Sequence, residues 1–565
     1  MISNKLIVRN LIEICAAKGI QYVVISPGSR NAPLNISFNE DGRFQCLSVP
    51  DERVAGFFAL GIAQQTRKPV IINCTSGSAI LNFAPAICEA YYQRIPLLVL
   101  TADRPTEWVH QGNGQTINQR NIFQNYIKKS YQLTQEGTHK DDVWHNNRII
   151  SEAIDQTIHF GEAGPVHVNI PLREPLYEVQ DYTNVPLPKI TNTVITSQQL
   201  SIETIQQLAT IWNQSSKKMI LCGLLPQNER LNEVLEKISQ DPSVVILTET
   251  TSNLSNDRFF PCIDRLIFPL TNETFPDFKP DLLITIGHSV ISKKMKALLR
   301  THTPKIGWHI GLNEFYLDTF QALTTHISTT PTAFFTQLLV SKQFNKQTIK
   351  STYHQQWQRQ NERNQNLHDA YLRQTPWSDL KAFELILKDL PKKSNLHQGN
   401  STPVRYVQLF KQRKDIIYNS NRGVAGIDGC TSTAAGAAFV NGRPTTIITG
   451  DISFFYDSNA FWNHHLTANL RIILINNGGG NIFRFISGPS TTNQLEDFFE
   501  THHDLTAKPI AELYKLPYYF ADSVASLQMV LKQFYQPHSR PAILEIKTPR
   551  LENSVILRKY FEFMK

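Results

Sequence analysis

Short apolar runs alternate with longer stretches of helical spacing along most of this chain, and that alternation limits what it can fold into. Residues 5–18 have helical spacing and 22–25 read as a buried strand. The same alternation continues with a helix at 54–65, a strand at 70–74, a helix at 79–92 and a strand at 97–101. It recurs more weakly in a second block, with strands at 218–223, 244–248, 282–287 and 305–309. A third block follows, with strands at 416–418, 445–449, 471–475 and 542–546. Strands alternating with helices of about 10–15 residues predict parallel sheets with helices on both faces. The expected class is α/β, with three consecutive doubly wound domains and mainly parallel sheets: 1–185, 195–345, a polar bridging helix as linker over 346–377, and 378–565. The Pro-rich stretch 185–189 reads as the first linker.

Charge and cysteine content narrow the function classes. Lys and Arg number 56 against 48 Asp and Glu, a net +8 over 565 residues, and the basic residues are scattered. A nucleic-acid binder needs a longer basic stripe with stacking partners, so nucleic acid is not expected as a partner. A mild positive surplus suits small anionic substrates. Apolar runs fall far short of the ~20 residues that span a bilayer, and the start lacks a signal peptide's apolar stretch, so a cytoplasmic protein without a membrane span is expected. The seven cysteines are dispersed with no CxxC pair, which predicts reduced, buried thiols rather than zinc or disulfides.

The densest chemistry lies in the third block. Gly450-Asp451 closes one strand and Asn476-Asn477 the next, followed by Gly478-Gly479-Gly480. A carboxylate and an amide at neighbouring strand ends offer the hard oxygens that Mg²⁺ prefers, and the glycines let the backbone turn and present a carbonyl to the same ion. Alone, Asp451 reads as a helix cap and NNGGG as a turn. Jointly they favour a cation that anchors a diphosphate.

This pattern resembles the signature of the thiamine-diphosphate-dependent enzymes, whose three-domain layout also matches. Within them the chain is most similar to the synthases of menaquinone biosynthesis that join 2-oxoglutarate to isochorismate. The likeness is carried by 26–34 (SPGSRNAPL), 51–53 (DER), 75–77 (TSG), 101–105 (TADRP), 420–429 (SNRGVAGIDG) and 476–483 (NNGGGNIF). It covers nearly the whole chain and is poorest in the middle block, Ser292-Lys293 apart.

The resemblance implies a pyrimidine-binding first domain, a central domain and a diphosphate-binding third domain. Glu52 matches the catalytic glutamate that hydrogen-bonds the cofactor's aminopyrimidine and promotes loss of the thiazolium C2 proton, for which a raised pKa is expected. In isolation Glu52 would read as a favourable charge at a helix start. The implied metal ligands for Mg²⁺ or Mn²⁺ are Asp451, Asn477 and the carbonyl of Gly479. Ile427 matches the apolar wedge that bends the cofactor, and Asp428, Gly429, Ser432, Ile452 and Ser453 are expected around the diphosphate. The substrates carry four carboxylates between them, one of which leaves as CO₂, and this calls for several cations, with Arg preferred for bidentate pairing. The candidates are Ser29, Arg30, Arg104, Gln115, Lys293, Ser401, Arg405 and Arg422. Arg405 and Arg422 are expected on the 2-oxoglutarate side, and Arg30, Arg104 and Lys293 on the isochorismate side, with Lys294 as the alternative to Lys293.

The implied reaction is decarboxylation of 2-oxoglutarate followed by 1,4-addition of the succinyl unit to isochorismate, at sites shared across a subunit interface in a homodimer or homotetramer. Two rivals are another thiamine-diphosphate-dependent 2-oxoacid lyase and a silent cofactor-binding relative. The first lacks this Arg set, and intact Glu52, Asp451 and Asn477 argue against the second. Gly114 stands where the family often has Asn before Gln115, and Gly478 where it often has a third Asn. His464-His465 is expected in a helix as a partly buried pair rather than a metal site.

Overall fold

The apolar runs of the first block line up as a six-stranded sheet, paired in parallel throughout, in the spatial order 45–48, 22–25, 70–74, 97–103, 166–171, 130–132. The computed structural model describes residues 1–135, 137–182, 186–196, 199–342, 344, 350–486 and 488–565. The third block forms a second six-stranded parallel sheet, ordered 417–419, 395–398, 445–450, 470–476, 542–547, 518–521. Numbered within its own sheet, each follows the order 2-1-3-4-6-5. The central block is a five-stranded parallel sheet in which 244–248, 218–222, 282–286, 306–310 and 325–327 are neighbours in that order.

Central strands such as Val70–Cys74 and Leu470–Asn476 are buried at every position, the pattern of a parallel sheet covered on both faces. In each of these three sheets the order reverses between the first and third strands. The carboxyl ends at that reversal form the crevice where open α/β sheets bind ligands. In the first sheet it is bordered by Ser26 and Thr75, in the third by Gly399 and Asp451.

The first and third blocks share one core. Helix Glu52–Thr66 crosses helix Cys430–Asn441, and Phe58, Ala59, Ile62, Ala434, Ala435 and Ala438 lie in a single buried cluster that reaches both sheets. The crossing depends on glycine. A Cβ on Gly61 would lie 2.0 Å from the Thr433 carbonyl oxygen, and one on Gly436 1.9 Å from that of Phe58.

Three local expectations change. The helix expected over 79–92 is two, Ala79–Asn82 and Ala84–Gln93, because Pro85 lacks a donor and its ring excludes a continuous helix. His464-His465 lies outside any helix. The chain leaves a 3₁₀ turn at Phe461, and the Asn463 side chain accepts the His465 N–H at 2.9 Å; His464 is exposed and His465 half-buried. The bridging segment is helical over Tyr353–Gln374, while its expected start at 345–349 and Val185 of the first linker lie outside the described residues. That helix buries Trp357 in the central core and bonds through His368 Nδ1 to the Tyr560 hydroxyl at 2.8 Å. All seven cysteines are free, five of them buried.

Candidate active site

At the carboxyl edge of the third sheet, Asp451 follows the third strand and Asn477 the adjacent fourth, and the structure brings them together. Asp451 is 2% exposed. Its Oδ2 accepts three successive backbone N–H groups, from Asn477 at 3.2 Å, Gly478 at 2.8 Å and Gly479 at 2.9 Å, while Oδ1 accepts that of Ile452 at 2.8 Å. The loop can aim three amides at one oxygen because Gly478 and Gly479 take φ of 78° and 149°. The Asn477 Nδ2 donates to Asp379 Oδ2 at 3.0 Å, which leaves the carbonyl arm of the amide for another ligand. The Gly479 carbonyl accepts from Asn481 N–H at 2.8 Å and keeps a second lone pair.

One carboxylate, one amide oxygen and one backbone carbonyl suit a hard cation that retains other ligands. Among the described residues no three His, Cys, Asp or Glu side chains gather to hold a metal, which agrees with a set containing one carboxylate. Beside it, His503 Nε2 is buried without a hydrogen-bond partner 3.5 Å from Asp451 Oδ2, and its Nδ1 accepts the Leu505 N–H at 3.1 Å. An orphaned donor next to the carboxylate fits an anionic group held at this edge, so the residues present fit a cation and a diphosphate.

The GIDG loop packs over the same edge. Ser453 Oγ donates to the Ile427 carbonyl at 2.8 Å; Ile427 and Asp428 are half-buried. Gly429 abuts Phe57, 2.0 Å from where a Cβ would stand. Ser432 is placed differently from expectation. Its N–H and Oγ both donate to the buried Asp457, at 2.7 and 2.6 Å, so the hydroxyl is committed within the protein. Burial pushes the Asp457 carboxyl up to about 7.

Two cationic clusters flank the sheets. In the first, Arg30 is 4% exposed and donates to the Leu172 carbonyl at 2.9 Å and to Glu174 at 3.0 Å, with its Nε unpartnered. Arg104 donates to the Gly114 carbonyl at 3.2 Å and lies 3.7 Å from Glu174. Ser76 Oγ holds the Gln115 carbonyl at 2.9 Å. Ser29 and Gln115 are exposed at this rim. Desolvation, and then the charge on Arg104, hold the Arg30 guanidinium below its usual range.

The second cluster joins the third block to the central one. Arg405 donates to the Ser401 carbonyl, and Arg422 to Asn400 Oδ1 at 3.0 Å. Both are held below the usual guanidinium range, chiefly by desolvation; the Arg422 charge lowers Arg405 further, whereas Glu249 and Glu89 raise Arg422. The two guanidinium charges oppose each other while the buried Glu249 and Glu89 offset part of that around Arg422, and paired Arg forks of this kind suit carboxylates. Glu89 fastens the SNRG loop by accepting Gly423 N–H at 2.6 Å and Val424 N–H at 2.8 Å. Lys293 is the exposed first residue of helix Lys293–Thr301, and its charge acts on Lys296. Lys294 is turned away, bonded to the Phe268 carbonyl. Lys296 faces Glu249 and Arg422, and desolvation lowers its amine.

Glu52 opens helix Glu52–Thr66, whose N-cap Asp51 accepts the Val54 N–H at 3.2 Å. It is half-buried, and desolvation raises its carboxyl above the usual range, as a proton-sharing acid requires. Its neighbours dock onto the third block: Asn459 donates to Asp51 at 2.8 Å and Arg53 to the Tyr456 carbonyl at 2.8 Å. Tyr456 is the last residue of helix Asp451–Tyr456 and Asn459 lies just past it, at the end remote from Asp451.

Sequence reasoning missed Asp379, His503 and Lys296. Only Lys296 had a nearby signal, the cationic run 293–296.

Comparison with known proteins identifies relatives of the whole chain. Residues 7–128 match the family model of the thiamine pyrophosphate enzyme N-terminal TPP binding domain. Three relatives called 2-succinyl-5-enolpyruvyl-6-hydroxy-3-cyclohexene-1-carboxylate synthase align end to end. That of Flavobacterium johnsoniae is 44% identical with 98% of each chain covered, that of Christiangramia forsetii 43% with 99% of each, and that of Porphyromonas gingivalis 38% with 100% of this chain and 98% of the relative. The chain belongs to the 2-succinyl-5-enolpyruvyl-6-hydroxy-3-cyclohexene-1-carboxylate synthase family of thiamine-diphosphate-dependent enzymes.

Proposed function

We propose that this protein decarboxylates 2-oxoglutarate and adds the resulting succinyl unit to isochorismate, giving 2-succinyl-5-enolpyruvyl-6-hydroxy-3-cyclohexene-1-carboxylate. The observation that carries this reading is the Asp451 carboxylate, fixed by three consecutive amides beside the Asn477 side chain. When bound, thiamine diphosphate supplies the electron sink for the carbon that loses CO₂. Asp451, Asn477 and the Gly479 carbonyl would hold Mg²⁺ or Mn²⁺. His503, Asp428, Gly429, Ile452 and Ser453 would surround the diphosphate, and Ser432 steadies that helix start through Asp457. Ile427 would serve as the apolar wedge against the cofactor. Glu52 holds and returns a proton at the aminopyrimidine ring nitrogen. Ser401, Arg405 and Arg422 orient the 2-oxoglutarate carboxylates. Ser29, Arg30, Arg104 and Gln115 receive isochorismate, with Glu174 (70% exposed side chain) free to swing from Arg30 as a substrate carboxylate takes its place. Lys293 completes the cationic rim.

Glu52 and the Asp451 cradle lie in different blocks, and we place the working site between two copies of the chain, in a homodimer or a homotetramer. Tyr456, Trp462 and Phe498 of the third block, exposed by 53%, 52% and 77%, support burial of a surface of that block in an interface. A cytoplasmic location is proposed; no described helix is long and apolar enough to cross a membrane.

Product analysis by mass spectrometry tests the reading. Purified protein with Mg²⁺, thiamine diphosphate, isochorismate and 2-oxoglutarate is expected to form the succinyl adduct only when all are present. Acetolactate formed from pyruvate in its place would overturn the substrate assignment and leave the cofactor assignment standing.

A further inference from the structure

Asn477 has a buried partner that the reading above leaves without a role. Asp379, the first residue of helix Asp379–Asp389, accepts the Asn477 Nδ2 on its Oδ2 at 3.0 Å. Its other oxygen accepts the Thr548 hydroxyl at 2.6 Å. Its own N–H donates to Asn553 Oδ1 at 2.8 Å, and Asn553 Nδ2 returns to Thr548 Oγ1 at 3.2 Å. Asp379, Asn477, Thr548 and Asn553 are all more than nine-tenths buried. The four come from three separate places in the chain, with 98 residues between Asp379 and Asn477 and only five between Thr548 and Asn553.

A side-chain amide has two arms of nearly equal shape, and only the oxygen can ligate a cation. We propose that Asp379 is a positioning residue, which fixes the Asn477 amide with its oxygen toward the cation and its NH₂ away from it. The carboxylate accepts and does not donate, so it rewards the NH₂ arm; the flipped amide would set oxygen against oxygen. Thr548 and Asn553 hold the carboxylate in place, so the orientation of Asn477 is set before any ion arrives. Groups that orient a metal ligand in this way typically govern about 10- to 100-fold in metal affinity. The inference rests on the assignment of Asn477 and Asp451 to the cation.

The test is Mn²⁺ binding, read by electron paramagnetic resonance of free Mn²⁺ with the full chain and saturating thiamine diphosphate. The melting temperature without cation serves as a check on folding. D451A serves as the control for the assignment. If wild type binds no Mn²⁺, or D451A binds it equally well, the cation site itself is misplaced. With that control passed, D379A is expected to weaken Mn²⁺ about 10- to 100-fold. D379N, whose amide oxygen can still accept from Asn477 while its NH₂ donates to Thr548, is expected to stay within about threefold of wild type, since the bond that sets the amide survives. Binding by D379A within threefold of wild type overturns the proposal, and so does a loss in D379N as large as in D379A. Should D379A fail to fold, T548V decides: a loss of threefold or more supports the role, and unchanged binding refutes it.

Discussion

Replacing Asp451 by Asn tests whether the cation cradle is assembled before any ligand arrives. The carboxylate accepts four backbone N–H groups, three on Oδ2 and one on Oδ1. In D451N the amide oxygen must take the Oδ2 position, because three donors converge there, and the NH₂ then faces the Ile452 N–H. Hydrogen bonds to a charged group contribute about 1.5–3 kcal/mol and neutral ones about 0.5–1.5 kcal/mol, so each of the three loses about 1 kcal/mol. The stranded Ile452 donor costs about 1–3 kcal/mol more. Removing a buried charge returns part of this, for an expected net loss of about 2–4 kcal/mol in the local stability of the 476–480 loop. At about 1.4 kcal/mol per tenfold, that is roughly 30- to 1,000-fold faster amide exchange where exchange follows local opening. The assay is hydrogen–deuterium exchange by mass spectrometry on peptides spanning residues 476–480, without cation or cofactor. Unchanged protection, or greater protection in D451N, would refute a preformed cradle: the carboxylate would then be an unrelieved charge that the loop tolerates only until an ion binds.

Four further outcomes follow from the geometry. E52Q is expected to bind cofactor nearly as wild type while turnover falls about 10²- to 10⁴-fold, measured by cofactor titration and steady-state kinetics; turnover near wild type would remove Glu52 from proton transfer. R422K keeps a charge but loses the planar fork, and a raised KM for 2-oxoglutarate by about tenfold or more is expected; a rise confined to isochorismate would reverse the assignment of the two clusters. Asp457 is raised from 3.8 to about 7 in the fold, so between those values the folded protein holds a proton the unfolded chain has released, and stability falls as pH rises. D457N removes that contribution, and wild type should lose up to about 1.4 kcal/mol per pH unit more than the variant between pH 4.5 and 7, checked by parallel unfolding curves. G61A gains helix propensity of about 1 kcal/mol, yet its Cβ must move a carbonyl that stands 2.0 Å away. A net destabilisation of about 1–3 kcal/mol is expected by thermal unfolding, and a more stable variant would show that the two helices separate freely.

Much of this was legible because parallel strands announce themselves twice, as apolar runs and as the polar residues that end them. Asp451 and Asn477 could be paired on paper since each follows a strand and the two strands turn out to be neighbours. Asp379 could not, because nothing local in the segment containing Ser378 and Asp379 distinguishes a helix start from a partner for an amide 98 residues away. His503 lies beyond a stretch of 3₁₀ and π turns whose path has no periodic signature. Lys294 and Lys296 are two residues apart on one helix, so spacing alone could not say which side chain turns to Phe268 and which to Arg422. At Phe83 two local signals conflict, helical spacing across 79–92 and Pro85, and the proline prevails.

The repeated strand order has a consequence for how such a protein can change. Two sheets wound alike present equivalent ledges, so the turn after the first strand carries Arg30 in one and Ser401 in the other, where Arg405 follows in helix Thr402–Val407, on scaffolds of the same design. Gln45–Ser48 and Ile417–Asn419 likewise hold matching places, one leading to Glu52 and the other to Arg422. Each turn hangs from a strand whose place is set by its neighbours, so substitution in one ledge leaves the other's framework intact. A chain built as a doubled unit can thus specialise one copy for proton chemistry and the other for charge, and the shared core between them is the part least free to drift.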